Sequence, residues 1–160
     1  MSLGMMYTAV FTGVAVTAQQ DLFELTAPST RAVVIHQVVL SQSTEVGDAQ
    51  EESLSVLLRR GSSATTSGSG GGTATPARLQ SGFAAAGSTV EINNTTKMSG
   101  GTITTVHSEN WNVRAPLVIL PPPELRIVLS PGERFTVELA ATPADSFTVS
   151  GTLYFEEIGG

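Results

Sequence analysis

The chain has no cysteine and a single lysine, Lys97, among its 160 residues. Without cysteine there is no disulfide staple and no thiolate metal site, although that absence does not choose a compartment. Charge of either sign is scarce: 14% of the residues are charged, against about 25% in ordinary soluble proteins. The polar surface must therefore be built from Ser, Thr, Asn and Gln. Free domains ordinarily keep a well-charged surface, so this composition points to contacts between subunits. The formal net charge is −6, and Arg59-Arg60 is the one basic pair. Binding to a nucleic-acid backbone needs clustered Lys and Arg, so nucleic acid is not an expected partner. No apolar run approaches the roughly 18 residues of a membrane helix, and no basic segment of a secretory signal opens the chain. Three methionines in the first six residues (Met1, Met5, Met6) suggest a natural start at Met5 or Met6. Residues 1–5 are therefore set aside, and 6–160 are read as one domain.

What is present alternates with a period of two, the signature of half-buried strands. Strands are expected at Tyr7 to Thr17, Asp21 to Thr26, Ala32 to Gln42 and Ser53 to Arg60, with Ala18-Gln19-Gln20 as a turn. The third of these is apolar on both faces, with Val34, Val38 and Leu40 on one and Val33, Ile35 and Val39 on the other, which predicts a central strand covered twice. The fourth should point Leu54, Val56 and Leu58 inward. Strands resume at Thr102 to Val113, Pro116 to Leu120, Glu124 to Leu129, Arg134 to Ala140 and Ser146 to Glu156. Ser130-Pro131-Gly132-Glu133 has type II turn chemistry, because glycine takes the positive-φ site without steric cost. It predicts a hairpin with Phe135, Val137 and Leu139 on one face. The last strand carries Phe147, Val149, Leu153 and Phe155 at one parity. No window keeps a helical period. About eight short strands with regular turns predict an all-β fold, an antiparallel β-sandwich of jelly-roll type.

Between the two sets of strands lies a long excursion, residues 61–101, that opens with fifteen residues of only Gly, Ser, Thr and Ala, Gly61 to Thr75. A phosphate cradle needs glycines leading into a helix N-terminus; here they lead into Thr-Ala-Thr-Pro. Residues 76–101 are too few and too aperiodic for a second domain. The stretch reads as a candidate assembly arm, flexible through Gly61, Gly70, Gly71 and Gly72 and anchored by Pro76, Leu79 and Phe83. It is expected to order against a neighbouring subunit or across its own sandwich.

No catalytic constellation emerges. There is no Gly-x-Ser-x-Gly elbow, and the two histidines, His36 and His107, form no metal-binding spacing. His107, Glu109 and Trp111 share a strand face by parity and make the best candidate binding face. The acidic run Glu45, Asp48, Glu51 and Glu52 lacks the spacing of a calcium loop and reads as a solvated connection. Asn93-Asn94-Thr95-Thr96 holds overlapping glycosylation sequons but suits a turn. The expectation is a chain with no cofactor, no metal and no catalytic residue.

One ordered set of segments resembles a known family: YTAVFTGVAVTAQQDLFELTAP, then VVIHQVVLSQSTEVGDAQEE, the RRG and Gly/Ser run with TPARLQ, then NNTT, VHSENWNV, PPPE, LSPGERFTVEL and GTLYFEEIGG. It is similar to small proteins that tailed bacteriophages and prophages carry near their structural genes, over nearly the whole of 6–160. The resemblance implies a virion structural role of capsid decoration (cement) type. Its partners would be the major capsid protein or other virion proteins and further copies of itself, a trimer being the expected order. It would be made in the bacterial cytoplasm and sit on the particle surface. The alternative is a glycan- or protein-binding module of a spike, fibre or baseplate, in which His107, Glu109 and Trp111 would make contact. A cupin-type metal enzyme ranks last, for want of a clustered His-x-His motif.

Overall fold

The computed structural model describes residues 4–44 and 52–159. Twelve strands among them form two antiparallel sheets stacked as a sandwich, the all-β class expected from the alternation. The first sheet runs β10 (Ile127–Leu129), β3 (Ala32–Gln42), β12 (Phe147–Ile158), β1 (Met5–Val16) and β6 (Ala77–Arg78), with β9 (Leu117–Ile119) also on β3. The second runs β5 (Gly72–Ala74), β7 (Thr89–Asn94), β2 (Gln20–Thr26), β11 (Arg134–Leu139), β4 (Ser53–Gly61) and β8 (Ile103–Asn112).

The core lies between the sheets. Leu54, Val56 and Leu58 of β4, Phe135, Val137 and Leu139 of β11, and Phe147, Val149, Leu153 and Phe155 of β12 are all buried there, as their parity predicts. Aromatic pairs tie the layers: Phe11 of β1 meets Phe23 of β2 with ring centroids 5.0 Å apart, and Trp111 of β8 meets Phe147 of β12 at 5.9 Å. Such pairs add about 0.5–1.5 kcal/mol beyond their buried area.

Simple parity fails where strands bulge. A bulge inserts one residue and moves every later side chain to the opposite face. In β3 the pairing with β12 skips from Gln37 to Ile35, so His36 is the extra residue. Val33 and Ile35 before it, and Val38 and Leu40 after it, therefore all point into the core. The strand is central as expected, but its two apolar parities serve one buried face rather than two. The β1 register shifts between Phe11 and Val14, at Gly13 with φ 65°, and Leu22 and Val106 are extra residues in β2 and β8.

Four further expectations change. Ser130-Pro131-Gly132-Glu133 does form the turn, with Gly132 at φ 80° and Glu133 N–H donating to Ser130 O at 3.0 Å. Yet β10 pairs with β3 in the first sheet and β11 with β2 and β4 in the second. The turn is a corner between sheets, which alternation cannot distinguish from a hairpin. The stretch read as one long loop, 61–101, contains β5, β6 and β7, and β7 pairs with β2 along Thr89–Asn94. Met5, set aside as lying before the fold, begins β1, and Pro123–Leu125 is a short 3-10 turn rather than the start of a strand.

Gly151 of β12 sits where the layers press closest. A Cβ there would stand 2.6 Å from the Phe11 ring and 2.8 Å from that of Phe23. Gly151→Ala is expected to lower stability by about 1–3 kcal/mol through overpacking, measured by denaturant unfolding; an unchanged midpoint would show that the rings move aside freely.

Candidate functional site

Where β8 closes the second sheet and β9 and β10 border the first, the sandwich opens into a cleft of about 440 Å³. Leu58 and Ile119 form its floor side; Val106, Val118, Leu120, Pro121, Pro122 and Leu125 make apolar walls, and His107 and Glu109 supply its polar groups. Val106, Val118, Leu120 and Leu125 are 40%, 53%, 63% and 71% exposed. Five of the eight large exposed apolar side chains of the described residues fall between 106 and 128, so the apolar surface is concentrated at this end. The sequence takes Pro116 to Leu120 and Glu124 to Leu129 as strands but does not bring their apolar side chains to His107 and Glu109, because parity along one strand does not say which other elements face it. Their signal was available: apolar residues crowded between prolines, with no partner period.

Of the candidate binding face, the structure brings His107 and Glu109 together, His107 Nε2 lying 3.1 Å from Glu109 Oε2 on an exposed stretch of β8. Trp111 does not join them. It is 2% exposed, packs on Phe147 and donates its indole N–H to the Ala115 carbonyl at 2.7 Å. A bulky indole at the strand's core-facing end is worth more buried than wet.

The candidate arm lies on its own sandwich. Residues 62–71 and 95–101 pair with each other through Thr66 and Ser99, and through Ser69 and Thr96. This small ladder covers the outer face of the second sheet, where Asp21, Glu24 and Glu138 are buried. Each carboxylate is held from above. Glu24 accepts from Ser67 Oγ at 2.7 Å and Gly68 N at 2.8 Å; Asp21 accepts from Met98 N at 2.7 Å. Glu138 pairs with Arg59 at 2.7 Å and with Lys97 at 2.9 Å. Arg134 lies beside Glu24 and donates to the Thr65 carbonyl. Glycine is needed here for close approach: a Cβ at Gly68 would stand 2.4 Å from Thr96 O, and one at Gly71 2.1 Å from Ile92 O. Gly61 itself is buried at the end of β4, and Gly70 to Gly72 run along β7 into β5. The later part is tied to the first sheet. β6 pairs with β1, Tyr7 Oη donates to Ala84 O at 2.9 Å, and Glu157 accepts from Gly87 N, Ser88 N, Ser88 Oγ and Arg31. Of the named anchors, Pro76 and Phe83 are half-buried and Leu79 is 52% exposed.

His36 stands apart from His107, its Nε2 2.7 Å from Glu156 Oε2 on the first sheet. Among the described residues no group of three His, Asp or Glu could hold a metal ion, and no helix is long and apolar enough to cross a membrane. Glu45, Asp48 and Glu51 lie outside the described residues; Glu52 accepts from Ala144 N at 2.5 Å. Asn93 and Asn94 end β7, Asn93 with φ 57° and Asn94 bonded to Glu24 and Glu91.

No protein-family model matches this chain, and no curated protein matches it. Among solved structures it has a likeness to a chain from the T13 IBDV viral particle, at 16% identity and a TM-score of 0.18. That alignment covers 99% of this chain and 40% of the other, and a likeness of that size carries no argument about fold or function.

The covered carboxylates set a pH response. Burial raises the Asp21 pKa to about 7 from 3.8, against the Met98 N–H that favours its charge, with Glu138 and Glu24 adding to the rise. Its folded pKa exceeds its unfolded one, so its contribution to stability is full below about pH 4 and is lost as pH rises through about 7. Glu157 is opposite: burial opposes its charge, but the Ser88, Gly87 and Arg31 hydrogen bonds prevail and hold its pKa below 4.5. Its contribution is present above that value and lost as pH falls. Asp21→Asn is therefore expected to gain in melting temperature over the parent as pH rises from about 5 to about 8. Glu157→Gln should lose most at neutral pH and least in acid. Thermal melts across pH check both, and an Asp21→Asn difference independent of pH would show that Asp21 does not titrate in this range.

Proposed function

We propose that the chain is a non-enzymatic structural protein of a bacteriophage particle, a capsid decoration (cement) protein that strengthens the head by contacts with the capsid and between copies. The observation that carries this reading is the crowding of exposed apolar side chains around the β8–β9–β10 cleft. Contiguous exposed apolar surface marks an interaction site, and the depletion of charge across the chain suits surface that becomes buried. The family resemblance of the sequence supplies the particle; the cleft supplies the contact. In this reading the protein does no chemistry. Its partners are the major capsid protein or another virion protein, and its place is the particle surface, after synthesis in the bacterial cytoplasm.

The cleft also favours a second reading, a binding module of a spike, fibre or baseplate, because apolar walls around a His–Glu pair suit a ligand with both characters. It would hold such a ligand through His107 and Glu109. Trp111 is enclosed and cannot stack on a sugar, which weakens the glycan form of this reading and leaves a protein segment as the better ligand.

The test uses capsids of the phage or prophage that encodes the chain. Leu120→Asp combined with Leu125→Asp is expected to weaken capsid binding at least about tenfold while leaving the melting temperature nearly unchanged, since both side chains are exposed. Undiminished binding by the double variant, or failure of the parent to bind capsids, would remove the decoration reading. Binding to isolated tail fibres or baseplates instead would favour the second.

A further inference from the structure

Five strands border the two sheets, and four of them are very short: β5, β9 and β10 have three residues each and β6 has two. Short borders offer little ladder for another chain to join; β6 covers only Tyr7 and Thr8 of β1, but the rest of that edge is broken by the bulge at Gly13. β8 is the exception, ten residues long at the end of the second sheet. Among the described residues no strand pairs with its outer side. Ile103–Asn112 contains no proline, lysine or arginine, the residues that commonly blunt an exposed edge. Seven of its ten residues are Thr, Ser, Asn, His and Glu, which lose little when an edge is covered.

The charge pattern on this edge identifies an occupant. We propose that β8 pairs antiparallel with β8 of a second copy, about a two-fold axis through Ser108, so that the two second sheets become one continuous sheet. The inference deepens the assembly reading above and rests on it for the premise that copies associate. In this register His107 of one copy stands opposite Glu109 of the other, and Glu109 opposite His107, two complementary pairs on one face. Directly opposed residues lie about 4.5–5.5 Å apart at Cβ, close enough to interact. A two-fold axis at Glu109 would oppose two carboxylates, and one at His107 would oppose two imidazoles. An axis between Ser108 and Glu109 would set both groups against neutral side chains. The Ser108 register alone makes the edge complementary to itself. The bulge at Val106 limits regular pairing at one end of the strand, leaving a short ladder centred on Ser108. Val106 and the apolar cleft beside it then lie at the joint, so the two clefts adjoin.

A two-fold pairing closes at two copies, where the sequence reading expected three. Light scattering of the full chain at about 1–100 µM is expected to give a dimer mass. His107→Glu sets like charges opposite each other twice and should weaken the dimer about tenfold. Adding Glu109→His in the same chain exchanges the two groups and should restore it, which a merely structural defect would not allow. A monomer throughout the range, a trimer, or a dimer indifferent to His107→Glu would overturn the proposal. A dimer that behaves as described but ignores phage capsids upholds the pairing while removing the decoration reading. A monomer that binds capsids overturns the pairing and leaves that reading standing.

Discussion

Three carboxylates buried on the outer face of one sheet constrain the whole molecule. An ionised carboxylate out of water is costly unless hydrogen bonds and charge compensate it. Asp21, Glu24 and Glu138 lie side by side on β2 and β11, so an apolar cover over them would be ruinous and no cover would leave the sheet open. The chain resolves this with a cover of backbone N–H groups, hydroxyls and Lys97, joined by Arg59 and Arg134 from the sheet itself. Glycine and serine are the residues that let backbone come that close. The single lysine of the sequence is committed to this face rather than to solubility.

That commitment shapes the exterior. Much of the scarce positive charge is used internally, so the remaining surface is neutral and rich in hydroxyls. The covered and open parts of the molecule differ accordingly. The ladder covers the outer face of the second sheet and Glu157 holds the loop at Gly87 and Ser88, whereas the sandwich opens between β8 and β9–β10 with apolar walls. A molecule with four clipped borders and one long one has a direction for association, and the apolar cleft lies at that same end.

The fold class was legible because alternation is a local property. β4, β11 and β12 present the side chains their parity requires, and the Pro-Gly turn forms as its chemistry dictates. The failures share a cause: each depended on what a strand pairs with. His36 reverses the parity of β3 only because β12 skips it, and nothing in AVVIHQVVLSQ records the skip. The Ser130–Glu133 turn looks the same whether its strands stay in one sheet or part between two. For the Gly/Ser run, composition suggested freedom. The carboxylate that holds it, Glu24, lies some forty residues away in sequence, so no window on the run could contain both. His107 and Glu109 were found by parity on one strand, whereas the walls opposite them came from two others.

Strand order in the first sheet carries a consequence for how the chain is made. β12 lies between β1 and β3 and pairs with both along nearly its full length, so strands far apart in sequence are neighbours in the sheet. β1 and β3 cannot be joined until residues 147–158 have left the ribosome. The second sheet is under no such constraint beyond β11. The β1–β12 ladder joins residues some 140 positions apart, and pairings of such large sequence separation are the slow ones, because the intervening chain must be closed before they form.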